Sequence, residues 1–150
     1  MIKTSINTSE FRSLCPVATG LDILGDKWTL LILRDMIWGH KTMFHEFKES
    51  PEKMPSKMLS NRLKKLEGMG FISKQKGTVN KKSIYYLLEK RGFDTFPIMI
   101  EMAIFTTKHF FDHLGTTYTG DVKKRMLKDK LDYTKELISN YKQFVRLQTF

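Results

Sequence analysis

From residue 56 to residue 65 the chain reads SKMLSNRLKK, and its polar members recur at helical spacing. At about 100° per residue, a helix that turns Leu59, Leu63 and Leu66 inward turns Lys57, Asn61 and Lys64 outward, with Ser60 and Lys65 flanking them. Such a face carries hydrogen-bonding groups and cations together. Asparagine pairs with the edge of adenine, serine bonds to either strand's base edges, and lysine meets phosphate or guanine. Arg62 falls at the border of the buried face, placed to reach a phosphate or to brace the hairpin after the helix. Ten residues on, Lys76, Lys81 and Lys82 cluster about GTVNKK, a turn between two β-rich runs. The bland reading of such lysines is a solvated face opposite a leucine stripe.

Cys15, the only cysteine, stands directly before Pro16. The start of a helix offers free N–H groups and a dipole that favour a thiolate, so the position suits a nucleophile; a small packing residue at a helix start is the competing reading. A single cysteine forms no disulfide within its own chain. His109 and His113 are four apart with Asp112 between them, which could place two ligands on one helical face, but such a pair recurs by chance and no Cys-x-x-Cys accompanies it. No metal site or cofactor is expected. His40 and His45 lie in the basic region and suit solvent or a polyanion better than acid-base work. A Gly-rich phosphate loop and a nucleophile elbow are both missing from the sequence, so an enzyme is not expected.

The elements that must carry these residues can be read from pattern. Pro16 to Leu24 makes a short helix closed by Gly25. Asp26 is a cap for a second, mostly buried helix that stops at Gly39. Phe44 and Phe47 mark a brief third helix, and the loop ESPEKMP leads to the fourth, with Ser56 as its candidate N-cap. Two short helices joined by a polar turn form a helix-turn-helix pattern. A β-hairpin with a basic tip comes next. The segment from Phe96 to Phe105 is apolar almost all round, with Pro97 either opening or kinking its helix. The last stretch reads as one long amphipathic helix whose stripe is Leu127, Leu131, Thr134, Ile138, Tyr141 and Val145.

Charge is concentrated where the polar pattern lies. Of 150 residues with a formal net charge of +10, the stretch 41–92 holds thirteen basic against five acidic residues, whereas the first forty are balanced. A local surplus makes a field for a polyanion; a solubility surplus would be spread out. No apolar run is long enough for a membrane span, and the N-terminus lacks the apolar core of a signal peptide, so the expected location is the cytoplasm.

Taken together, CPVATGLDILGDKWTLLILRDMIWG, MFHEFKES, PSKMLSNRLKKLEGMGFI and YYLLEKRG resemble the HxlR-type winged-helix transcriptional regulators, relatives of the MarR group. The Cys-Pro, Gly-x-Lys-Trp and Leu-Glu-x-x-Gly signatures carry the likeness, which runs from about Cys15 to His113. It implies a homodimeric bacterial or archaeal repressor or activator, with the fourth helix in the major groove, the hairpin as wing, and Ser56, Lys57, Ser60, Asn61, Arg62 and Lys64 on the recognition helix. It also implies that Cys15 senses an oxidant or a small electrophile. Two positions depart from the family pattern: the wing tip is VNKKS where a proline is usual, and Glu89 stands where a threonine usually opens the next helix.

The expected fold is mainly α with a small β-hairpin wing, a winged helix-turn-helix flanked by N- and C-terminal dimerisation helices. Residues 1–14 form an arm, 15–92 the DNA-binding region and 93–150 the dimerisation helices of the same single domain. A homodimer on double-stranded DNA sets its recognition helices about 34 Å apart and so expects a pseudo-palindromic operator. The alternative is a winged helix that contacts protein or RNA and has no operator of its own.

Overall fold

A computed structural model describes residues 11–110 and 121–148. The elements run α1 (Pro16–Leu24), α2 (Thr29–Ile37), α3 (Phe44–Lys48), α4 (Ser56–Gly68), β1 (Ile72–Lys76), β2 (Ile84–Leu88), α5 (Lys90–Phe93), α6 (Phe96–Phe110), α7 (Asp121–Lys128) and α8 (Lys130–Leu147). The chain divides into two compact units, the first ending at Gly92 and the second running from Phe93 to Gln148.

In the first unit the core is built by α2, α3, α4 and the hairpin. Ile32, Leu33, Met36 and Ile37 of α2, Phe47 of α3 and Leu59, Leu63 and Leu66 of α4 are all at most 2% exposed. Each such side chain contributes about 1.5–3 kcal/mol relative to exposure. The i, i+4, i+7 leucine spacing therefore decides how α4 is rolled, and the polar face follows from it. Asp26 closes the start of α2: its Oδ1 accepts from the N–H groups of Trp28 and Thr29, each at 3.0 Å. Ser56, in contrast, does not cap α4. Pro55 holds the N-cap position and Ser56 is the first helical residue, because the extended backbone of Pro55 already sets the chain's entry angle.

The end of α4 is set by Gly70, whose φ of 71° is left-handed. The Phe71 N–H reaches back to the Leu66 carbonyl at 2.9 Å and the Gly70 N–H to that of Glu67 at 3.0 Å, so orphan carbonyls are satisfied as the chain reverses into β1. β1 and β2 pair antiparallel, with Ile72 opposite Leu88 and Lys76 opposite Ile84. Met43 forms an isolated bridge to Tyr85, and the Tyr86 N–H donates to the Thr42 carbonyl at 2.7 Å, so the segment before α3 lies along β2 as a third strand-like edge. The fold is thus a winged helix-turn-helix.

The second unit packs around Phe96, Met99, Ile100, Met126, Tyr133, Leu137 and Tyr141. Phe93 meets Phe96 and Tyr141 edge to face, with centroids 5.6 and 5.7 Å away. Pro97 lies in the first turn of α6, where its missing N–H costs nothing and no kink follows. Two expectations are corrected here. The last stretch is two helices, not one: Asp129 interrupts it and caps α8, accepting from the Asp132 N–H at 3.0 Å. Its buried stripe is Met126, Tyr133, Leu137 and Tyr141, while Leu127 and Leu131 face solvent. The short α5 has no counterpart among the expected elements.

Candidate nucleic-acid interface

The turn between α3 and α4 is held by side chains from α2. Arg34 grips Glu52 with two prongs, Nη1 to Oε1 at 2.6 Å and Nη2 to Oε2 at 2.9 Å, while its Nε and Nη2 also reach Asp35 Oδ1. Asp35 is buried, and its other oxygen accepts from Lys41 Nζ at 3.0 Å and from the Ser50 hydroxyl. Lys41 donates to Ser50 Oγ at 2.6 Å, which closes the triangle. The hydrogen bonds from Arg34, above all, hold the Glu52 carboxyl down at about 2, and those to Glu52 and Asp35 push the Arg34 guanidinium up. The Lys53 N–H closes on the Ser50 carbonyl and Lys48 Nζ donates to the carbonyl of buried Met54, so the turn enters α4 in one geometry. The Arg34–Glu52 pairing is not apparent from spacing, since the two residues are eighteen apart.

With α4 so placed, Ser56, Lys57, Ser60, Asn61 and Lys64 are exposed along one side. Neighbours on the helix have other work. Arg62 is half-buried, its Nε 3.2 Å from Asp26 Oδ1, within ion-pair range but without hydrogen-bond alignment. It therefore braces α4 against the start of α2 and not against the wing. Burial pushes the Asp26 carboxyl up, but the Thr29 hydroxyl, the Trp28 and Thr29 N–H groups and the Arg62 charge outweigh that and leave it lowered. Lys65 Nζ donates to the carbonyls of Asp22 and Ile23 at 3.2 Å each.

The hairpin continues the basic surface. Lys76, Lys81 and Lys82 are exposed, and so is Lys74 on β1, a further cation that alternates with Lys76 on one strand face and that period-two spacing could have singled out. The tip turns through Gly77 to Ser83. The Gly77 N–H donates to the Ser83 carbonyl and the Ser83 N–H to that of Asn80, both at 2.9 Å, and the Lys82 N–H donates to Asn80 Oδ1 at 3.0 Å. A Cβ at Gly77 would stand 2.6 Å from the Asn80 carbonyl oxygen, so only glycine fits there. An asparagine-organised turn thus does the work that a proline would do at this tip. Where a helix-opening threonine is usual, the Glu89 N–H pairs with the Phe71 carbonyl and α5 starts one residue later. Arg91 of α5 donates to the Met69 carbonyl and lies over the Phe71 ring, tying the hairpin's exit to the end of α4.

Cys15 is the N-cap of α1 and is exposed. Among the two readings of this thiol, burial as a packing residue is not what the structure has. The N–H groups of Ala18, foremost, and Val17 lower its pKa without making a capping hydrogen bond. Leu14, Val17 and Leu21 are exposed beside it. His45 is exposed, and burial lowers the pKa of His40. His109, in the last turn of α6, lies against the Phe105 ring, while Asp112 and His113 lie outside the described residues. Among the described residues no three His, Cys, Asp or Glu side chains converge as metal ligands. Among them, too, no helix is long and apolar enough to cross a membrane.

Comparison with known proteins places this geometry in context. The family model for HxlR-like helix-turn-helix proteins matches residues 23–114. Over 95 residues the chain is 33% identical to the uncharacterized HTH-type transcriptional regulator YdeP of Bacillus subtilis, covering 63% of this chain and 73% of that protein. Among solved structures it is similar to PA1607, a candidate transcription factor, with a TM-score of 0.61, 27% identity and 76% of each chain covered. The reduced form of the transcriptional regulator YodB from B. subtilis shares the fold with a TM-score of 0.54 at 24% identity, over 65% of this chain and 96% of that one.

Proposed function

The chain belongs to the HxlR-like helix-turn-helix family of transcriptional regulators, which are not enzymes, and on that premise we propose that it acts as a homodimer on a pseudo-palindromic duplex. In this reading α4 enters the major groove. Ser60 and Asn61 meet base edges, Ser56, Lys57 and Lys64 meet phosphates or guanine, and Lys76, Lys81 and Lys82 of the wing track the adjoining backbone. The observation that carries the reading is the exposed polar side of α4, backed by fully buried leucines and continued by a basic hairpin in the same compact unit.

Residues 15–92 are then the DNA-binding region and 93–150 the dimerisation helices. Exposed apolar side chains support the dimer: Val17 and Leu21 on α1, and Ile98, Met102 and Phe105 on α6. A second copy would cover them and set the two recognition helices one DNA turn apart. The exposed, acidified thiol of Cys15 supports a response to an oxidant or a small electrophile. A regulator that reads chromosomal DNA works in the cytoplasm.

The test is a mobility-shift titration of purified protein on duplex from beside its own gene, across a range of salt. A protected site whose affinity falls steeply with salt is expected. Binding to RNA or protein with no protected duplex at low salt would overturn the proposal.

A further inference from the structure

The helix assigned to the groove has two cations that do not face outward with the others. Arg62 and Lys65 are three apart on α4, on the flank between the buried leucines and the exposed Asn61 and Lys64. Both are half-buried and both are engaged by the protein itself. Lys65 Nζ sits on the carbonyls of Asp22 and Ile23 in the last turn of α1, groups that have no partner within their own helix. A cation there also complements the negative end of the helix dipole. Nothing in α1 supplies one, for its last turn has no basic residue, so α4 provides the charge that α1 lacks.

The contact matters more because none of α1's residues is fully buried: Ala18, Ile23 and Leu24 are only half-buried, and Val17 and Leu21 are exposed. Asp22 is held on its other side by Arg12, whose N–H and Nε reach the carboxylate at 3.2 and 2.6 Å. Just after α1, Asp26 organises the start of α2 and faces Arg62. Two adjacent polar contacts from one helix thus hold both sides of the α1–α2 junction.

We propose that Lys65, with Arg62, is a positioning residue and not a DNA contact: it fastens α1 to the recognition helix, so that how α4 is presented to the groove depends on where α1 sits. This rests on the assignment of α4 to the groove. It also gives a displacement of α1, at whose first turn Cys15 lies, a physical route to DNA through packed polar contacts.

The experiment compares the native protein with Lys65→Gln, Lys65→Arg and Lys64→Gln in two readouts, the salt dependence of duplex affinity and amide hydrogen exchange. Lys65→Gln is expected to lose about five- to tenfold in affinity with the slope of log affinity on log salt unchanged. Its α1 amides from Thr19 to Gly25 should exchange faster, while those of α3 do not. Lys65→Arg, which still donates to two carbonyls, should restore both. Lys64→Gln should flatten the slope by about 0.9 and leave α1 exchange as it was. A slope flattened by Lys65→Gln as by Lys64→Gln makes Lys65 a phosphate contact and overturns the inference, as does α1 exchange that stays at the native rate. If the native protein binds no duplex, the groove assignment fails with its consequence for DNA, and the exchange readout alone decides whether Lys65 holds α1.

Discussion

Arg34 and Glu52 meet in a two-pronged ion pair, 2.6 and 2.9 Å long, that ties the second helix to the turn before the recognition helix. Glu52 has its pKa depressed from 4.5 to about 2, so the pair stabilises the fold fully above the unfolded value. That stabilisation is lost as pH falls from about 4.5 through about 2. Glu52→Gln should therefore lower stability at neutral pH by at most about 1 kcal/mol, since the carboxylate is partly exposed. Urea denaturation at pH 7 and pH 3 checks it: the gap between native and variant must shrink at the lower pH, and a constant gap would show that the charge plays no part.

Asp35 has the larger role. It is buried, and its loss strands the Lys41 ammonium beside a hydroxyl. Asp35→Ala is expected to cost about 3 kcal/mol, because removing one partner leaves an uncompensated charge. The double variant Asp35→Leu, Lys41→Met should recover most of that in the same denaturation series. Equal losses in the single and double variants would mean that the stranded Lys41 charge does not set the cost.

On α4 and the wing, the division of labour is open to binding measurements. Asn61→Ala should relax discrimination between operator and mismatched duplexes by about 1–3 kcal/mol at one position. Lys82→Ala should weaken all sequences alike and flatten the salt slope by about 0.9. The reading fails if both variants lose specificity equally.

Cys15 offers a chemical test. Its lowered pKa and exposure predict alkylation by iodoacetamide at pH 7 faster than that of an unfolded peptide bearing the same thiol. Diamide should change duplex binding by the native protein and leave a Cys15→Ser variant unaffected. A Cys15→Ser protein that still responds would remove the thiol from the mechanism.

How far the site was legible tracks the range of the forces involved. The leucine period of α4 is a local signal: burying Leu59, Leu63 and Leu66 leaves only one way to roll the helix, which is why Lys57, Ser60, Asn61 and Lys64 are outward as their spacing predicts. Pro16 and Gly25 bound α1 for equally local reasons, and the basic excess of residues 41–92 needs no structure to be counted.

Other features depend on partners distant in the chain. In the C-terminal stretch two adjacent stripes share Tyr141 and run at the same period; the core takes Met126, Tyr133 and Leu137 in place of Leu127 and Leu131, and the Asp129 cap divides the helix. Arg62 and Lys65 look like their neighbours in sequence, and only the arrival of Asp26 and the α1 carbonyls beside them engages both within the protein. Periodicity along one helix determined which way each side chain points, but what stands there to meet it was decided by segments up to 43 residues away, through packing that no local pattern encodes.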